Sequence, residues 1–210
     1  MPVELVIFDC DGVLVDSERI SVRVGTAALR ELGWSIDEEE YAARFVGCSD
    51  EEWDRAVGEV PAGWRERLAA AHEAALTAEL VPVPGIVAAL DGLSVPVCVA
   101  SNGSHAKIRR SLELTGLAER FAGNVFSAED VARGKPAPDL FLFAASALGV
   151  PAERCVVVED SAYGVMAAEA AGMRCLALVN GLVPPARLSP ATHVADPALL
   201  PSLIGRVFSA

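Results

Sequence analysis

Four continuous apolar runs punctuate the chain: VELVIFD at 3–9, VPVCVAS at 95–101, RCVVVED at 154–160 and MRCLALV at 173–179. None alternates strictly between apolar and polar positions. Such runs predict strands covered on both faces, as in a parallel sheet with helices above and below. NVFS at 124–127 and THVAD at 192–196 are shorter strand candidates. Helical stretches lie between these runs. One opens on a possible N-cap, Ser104, and closes at Thr115 before Gly116; another runs from Ala137 to Leu148 ahead of Gly149 and Pro151; a third runs from Ser161 to Ala171 and stops at Gly172. Small polar residues at helix starts and glycine just past helix ends are the expected punctuation. The alternation predicts an α/β, Rossmann-like, doubly wound parallel sheet.

Residues 17–80 break that pattern, because they hold no convincing strand. Two capping boxes, Ser35-Ile-Asp-Glu38 and Ser49-Asp-Glu-Glu52, each suit a helix start. The Ala-rich stretch from Trp64 to Leu80 reads as helix, and VPVPG at 81–85 ends it as a linker. The expected organisation is a parallel-sheet core from residues 1–15 and 86–210, with a helical insertion, residues 16–85, after the first strand.

Composition narrows the function. The 210 residues are 52% hydrophobic and carry 17 basic against 29 acidic side chains, a net charge of −12. That balance argues against nucleic-acid binding, which needs a basic face, and against docking on an anionic membrane. The N-terminus lacks a basic n-region, and no stretch approaches a membrane span. The five cysteines are scattered without a CxxC or zinc-like spacing, which predicts reduced thiols and a cytoplasmic protein. Of the basic residues 15 are Arg; the two lysines are Lys107 and Lys135.

Four short segments could carry chemistry. Asp9-Cys10-Asp11-Gly12 ends the first predicted strand, where open α/β sheets bind ligands. On an extended chain the two carboxylates would point the same way, with Cys10 facing the core. Glu159-Asp160 ends another buried strand, and four carboxylates converging on one edge call for a hard cation, Mg²⁺ rather than zinc. Ser101-Asn102-Gly103 opens a helix and could seat a phosphate. Gly134-Lys135-Pro136 places a slim cation in an Arg-rich chain. Each has a plainer reading too: an Asp-Gly turn, a helix cap by Asp160-Ser161, an ordinary turn, a solvated loop lysine.

In order and spacing, DCDGVLVDSE, SNG, GKPAPDLF and VVVEDSAYG resemble the four motifs of the haloacid dehalogenase-like hydrolase superfamily. The wording DGVLVDSE and GKPAPD is most similar to its β-phosphoglucomutase-like group of sugar-phosphate phosphatases and mutases. The resemblance spans about residues 4–196 and implies that the insertion is a helical cap. It implies Asp9 as nucleophile forming an aspartyl phosphate, and Asp11 as general acid and then base, protonated at first. It implies Mg²⁺ on the Asp9 carboxylate, the Asp11 carbonyl and Asp160, with Glu159 a direct or outer ligand. Gly12, Ser101, Asn102 and Lys135 would hold the phosphoryl group. The cap loop Gly47–Asp50, with Gly47 and Ser49, would face the rest of the substrate, with Arg44 or Arg23 as possible contacts. Where mutases of the group have a cap histidine and a substrate-gripping arginine, this chain has Ser21 and Asp50. The resemblance therefore implies a phosphatase of a small phosphorylated metabolite, a sugar phosphate or sugar-acid phosphate, ahead of a phosphosugar mutase. A non-catalytic phospho-relay or metal-binding module is the alternative from another class, although there the acidic pair, not DxD, ends the first strand. A monomer is expected, as no heptad seam is present. His72, His105 and His193 read as structural or exposed, and Trp34, Trp53 and Trp64 as packing of the cap.

Overall fold

The computed structural model describes residues 2–46, 48 and 50–206. Six parallel strands form one sheet: β1 (Leu5–Phe8), β2 (Val97–Ser101), β3 (Val125–Ser127), β4 (Cys155–Glu159), β5 (Arg174–Leu178) and β6 (Thr192–Val194). Their order is β3-β2-β1-β4-β5-β6. All six apolar segments of the sequence are strands, including the two short ones. β1 is central and wholly buried, and it alternates its side chains between two cores. Val6 and Phe8 join a cluster with Val99, Val156, Ile86 and Phe121, while Leu5 and Ile7 join one with Leu140, Phe141, Ala167 and Ala168. A strand burying both faces has no polar side to alternate, which is why these runs are continuous.

The intervening helices are α1 (Ser17–Glu31), α2 (Glu38–Phe45), α3 (Asp50–Val57), α4 (Trp64–Glu79), α5 (Ile86–Asp91), α6 (His105–Leu114), α7 (Asp139–Ala147), α8 (Ala162–Ala170) and α9 (Leu200–Arg206). Ser104 caps α6 as expected, its side chain accepting from the Lys107 amide. The α2 cap departs from expectation. Asp37, not Ser35, is the N-cap, and its carboxylate accepts from Glu40 N–H. Asp37 immediately precedes the first helical residue, Glu38, and so reaches a first-turn amide from the N-cap position. Ser49 of the second proposed box lies outside the described residues.

Helices α1–α4 lie between β1 and α5 in sequence. The chain leaves and re-enters the sheet unit side by side: Asp16 N–H donates to the Val81 carbonyl, and Val83 N–H donates to that of Leu14. The VPVPG linker is thus pinned to the end of the first motif. An aromatic run from Trp34 through Phe45 and Trp53 to Trp64 packs these helices, with Trp53 and Trp64 stacked at 6.2 Å.

Candidate active site

Chain order reverses between β1 and β4, so the loops leaving their C-terminal ends diverge and open a crevice there. Asp9 follows β1, Ser101 ends β2 and Glu159 ends β4. Lys135, from the loop between β3 and α7, reaches into the same crevice. Its Nζ lies 2.5 Å from Asp9 Oδ1 and 2.7 Å from Glu159 Oε1, and it sits 4.8 Å over the Phe141 ring. It is 7% exposed. Burial alone would lower this amine, but Asp9 and Glu159 outweigh it and hold the ammonium protonated.

Asn102 does not point at the crevice with its amide. Its Oδ1 accepts from Lys135 N–H at 2.9 Å and its Nδ2 donates to the Lys135 carbonyl at 3.0 Å. This two-way clamp fixes the backbone from which Lys135 extends. Ser101 is buried beside it, its Oγ accepting from Gly103 N–H.

Glu159 is engaged on both oxygens. Besides Lys135, it accepts from Asp160 N–H, Ser161 N–H and the Ser161 hydroxyl. Ser161, not Asp160, caps α8, accepting from Gly164 N–H. Asp160 is thereby left to face the crevice, where Asn180 Nδ2 donates to it at 2.9 Å. The packing is tight: a Cβ at Gly12 would come within 2.0 Å of Asp160 Oδ2, and one at Gly164 within 1.8 Å of Glu159 Cδ. Gly12 also has φ +72°, which a side chain would strain.

Asp11 differs from expectation. β1 ends at Phe8 and the chain turns at Gly12, so the two-residue strand alternation no longer governs Asp11. Asp9 pairs with Lys135, whereas Asp11 accepts from Lys107 Nζ at 2.7 Å and from Ser17 Oγ at 2.7 Å. Burial would raise the Asp11 carboxyl, but Lys107 and Ser17 outweigh it and hold it below the usual carboxylate range. The expectation of a protonated Asp11 at rest is therefore corrected: Lys107, not neighbouring negative charge, decides its state. Cys10 lies in the core as expected, 1% exposed.

Lys107 and Asn180 lie outside the sequence motifs, and Ser17, within DCDGVLVDSE, has no expected role there. Lys107 did carry a signal, because the two lysines of the chain both end on site carboxylates. Asn180 follows β5 on the same sheet edge. Two suggested contacts fall elsewhere: Arg44 lies 4.9 Å over the Trp34 ring, and Arg23 pairs with Glu79 at 2.7 Å. Gly47 and Ser49 lie outside the described residues. His105 pairs with Asp130, and His72 is half-buried with its Nε2 2.8 Å from Ser21 Oγ.

Oxygen atoms of Asp9, Glu159 and Asp160 lie within 4.8 Å of one another and could hold a metal ion. Five carboxylates here, those of Asp9, Asp11, Glu18, Glu159 and Asp160, face two ammonium groups, leaving an excess of negative charge. Burial, more than Glu159 or Asp11, pushes Asp9 up to about 7 against the pull of Lys135, and burial with Glu159 and Asp9 pushes Asp160 well above its range. An all-oxygen, anion-rich, buried donor set fits a hard cation. Because these carboxyls titrate higher folded than unfolded, the folded state holds more protons between about pH 4 and 7. The thermal midpoint of metal-free protein is therefore expected to fall as pH rises through that window, and saturating divalent cation to flatten the slope. A metal-free midpoint that climbs from about pH 5 to 8 would contradict this account.

Fold and site together define an α/β enzyme with a buried carboxylate–lysine centre at a topological switch point. Residues 3–172 match the family model of haloacid dehalogenase-like hydrolases. The 6-phosphogluconate phosphatase of Escherichia coli (strain K12) is 36% identical over 177 residues, covering 81% of this chain and 80% of that protein. A haloacid dehalogenase-like protein from Agrobacterium tumefaciens str. C58 matches with TM-score 0.89 and 35% identity, over 98% of this chain and 99% of that one. A HAD family hydrolase from Deinococcus radiodurans R1, with bound phosphate and sodium, matches with TM-score 0.81 and 33% identity over 95% and 93%. The chain belongs to the haloacid dehalogenase-like hydrolases. In enzyme class it is a phosphoric monoester hydrolase. Among the described residues no helix is long and apolar enough to cross a membrane.

Proposed function

We propose that the protein is a Mg²⁺-dependent phosphatase of a small sugar phosphate or sugar-acid phosphate, working through an aspartyl phosphate on Asp9. The observation that carries this reading is the buried cluster of Asp9, Glu159 and Asp160 around Lys135, at the strand ends where the phosphoryl group would arrive. The identity to a 6-phosphogluconate phosphatase supports the substrate class. Residues 16–85 act as the cap over a core of 1–15 and 86–210, a division supported by the paired exit and re-entry at Leu14–Asp16 and Val81–Val83.

Asp9 Oδ attacks phosphorus and the leaving oxygen departs, giving the acyl phosphate; water then attacks phosphorus and returns the free carboxylate with inorganic phosphate. Mg²⁺, held by the Asp9 and Asp160 carboxylates and the Asp11 carbonyl, would supply charge neutralisation for the phosphoryl oxygens. Lys135 adds a fixed positive charge, held by Glu159 and by the Asn102 clamp. Ser101 contacts the phosphoryl oxygens; the Gly12 amide, expected to share that role, instead donates to the Val15 carbonyl at 2.9 Å. Asp11, ionised beside Lys107, is poised as the base that takes the proton of the attacking water. For the first step it must carry a proton to the leaving oxygen. An arriving phosphoryl anion that draws Lys107 away would raise its carboxyl and favour that state.

Purified protein with Mg²⁺ is expected to release phosphate from p-nitrophenyl phosphate, and chelation to stop it. Release that persists under chelation would remove the metal-dependent reading. Residues 16–85 carry 15 acidic against 7 basic side chains, so long-range steering of an anionic substrate is absent or adverse. At saturating Mg²⁺, added monovalent salt is expected to leave kcat/KM flat or raise it, whereas a steep fall would point to a basic capture surface.

A further inference from the structure

Ser21 stands one turn of α1 beyond Ser17, the residue that donates to Asp11. The Ser21 hydroxyl donates its proton to the Ser17 carbonyl at 3.1 Å. A hydroxyl has one proton to give. His72 Nε2, on α4 and 2.8 Å from the same oxygen, must then be the donor of that contact, with Ser21 Oγ accepting. The proton thus sits on Nε2, and Nδ1 is left with no hydrogen-bond partner among the described residues. Burial, and then the Lys107 ammonium, lower the basicity of this ring against the weaker pull of Asp11 and Glu73. Neutral imidazole makes Nδ1 a bare acceptor.

His72 and Ser21 line a cavity of about 450 Å³ between α1, α2, α3 and α4, together with Tyr41, Trp53, Asp54 and Arg65. That volume lies in the range of small-molecule sites. The charged lining residues, Asp54 and Arg65, form an ion pair with each other, and the guanidinium lies 5.6 Å over the Trp53 ring. Tyr41 OH accepts from Trp53 Nε1 at 3.2 Å, which leaves its own proton to give. The described wall therefore offers an acceptor, a phenol donor and an aromatic surface, but no unpaired cation for a second phosphate.

We infer that His72 is a specificity-determining residue that accepts, at Nδ1, a hydrogen bond from a hydroxyl of a polyhydroxylated leaving group lying in this cavity. The inference rests on the phosphatase reading above. Ser21 lines the cavity one turn of α1 from Ser17, which donates to Asp11, so a leaving group whose phosphate meets Asp9 would run past Asp11 and along α1. A neutral acceptor rewards a hydroxyl and gains nothing from a methylene. One such hydrogen bond, with the unpaired acceptor it otherwise leaves, corresponds to roughly a fivefold to thirtyfold preference.

The test compares D-glucitol 6-phosphate with n-hexyl phosphate, two six-carbon chains with and without hydroxyls, alongside p-nitrophenyl phosphate, all with Mg²⁺. Wild type is expected to favour the glucitol ester in kcat/KM. His72→Phe is expected to cut the glucitol-to-hexyl ratio at least fivefold, chiefly through KM. His72→Asn, whose amide oxygen can accept near the Nδ1 position, is expected to restore most of that ratio. A ratio that is the same in wild type and His72→Phe, parallel loss on both esters, or a wild type that prefers the hexyl ester would overturn the role of His72. Wild type that releases phosphate from none of the three esters would overturn the phosphatase reading itself and the inference with it.

Discussion

Asp9→Asn is expected to lower phosphate release at least 10⁴-fold, about 5.5 kcal/mol of transition-state stabilisation, while leaving the protein as stable as wild type or more so without metal. The two halves of this result come from the same contacts. Asn keeps the shape of Asp but has no carboxylate to form the acyl phosphate, and nucleophile removal is among the costliest single changes an active site can suffer. Stability behaves differently because the wild-type carboxylate is a burden when the protein is metal-free. Burial pushes it up to about 7, so at neutral pH the fold bears part of the cost of an ionised group beside Glu159 and Asp160. A neutral amide removes that cost. Lys135 keeps Glu159 as its partner at 2.7 Å and does not become a buried unpaired cation. Phosphate release and thermal midpoint, measured on the same preparation, check both halves. Substantial turnover by the Asn variant would take the nucleophile role from Asp9. Loss of activity accompanied by a collapsed midpoint would mean that Asp9 is a structural anion.

How far the sequence revealed this site depended on what each residue needed. Strands were legible because β1, β2 and β4 are almost wholly buried, and β5 over its last three residues, so burial is written in the composition of each run. Asp9, Ser101, Lys135 and Glu159-Asp160 were legible because the parallel sheet puts strand ends on one edge. What failed were inferences that extended a local rule past the element that enforces it. The two-residue alternation that would align Asp9 with Asp11 ends with β1 at Phe8. The second aspartate then finds Lys107, 96 positions away in sequence, through the first turn of α6. No local pattern encodes that pairing; only the scarcity of lysine hints at it. Asn102 illustrates the same limit. A polar residue at a strand end suggests a ligand contact, yet its amide spends both groups on the Lys135 backbone. His72 lacked a sequence partner because its partner, Ser21, lies across two helices of the insertion.

Lys135→Met should be the most damaging change to the fold of the metal-free protein, costing about 3–5 kcal/mol at neutral pH, the range for breaking a buried ion pair by removing one partner. The ammonium is the positive charge in direct contact with Asp9 and Glu159. Met fills the same slim channel, packs on Phe141 and keeps the Asn102 clamp, which is made to the backbone. The loss therefore isolates charge from shape. The deficit should depend on pH in a definite direction. Without Lys135, Asp9 loses the group that pulls its carboxyl down, so it titrates higher still. The penalty is then largest where unfolded carboxylates are ionised, near pH 8, and shrinks toward pH 5 as the buried pair takes up protons. A divalent cation should act in the same sense as acid, by replacing the missing charge, and raise the midpoint of the variant more than that of wild type. Turnover should stay at least 100-fold down even with saturating cation, because the phosphoryl oxygens lose a preorganised donor. Thermal midpoints across pH, with and without Mg²⁺, decide the matter. A variant whose deficit is independent of both pH and cation would show that Lys135 stabilises the fold by packing, and that Asp9, Glu159 and Asp160 tolerate their mutual repulsion without it.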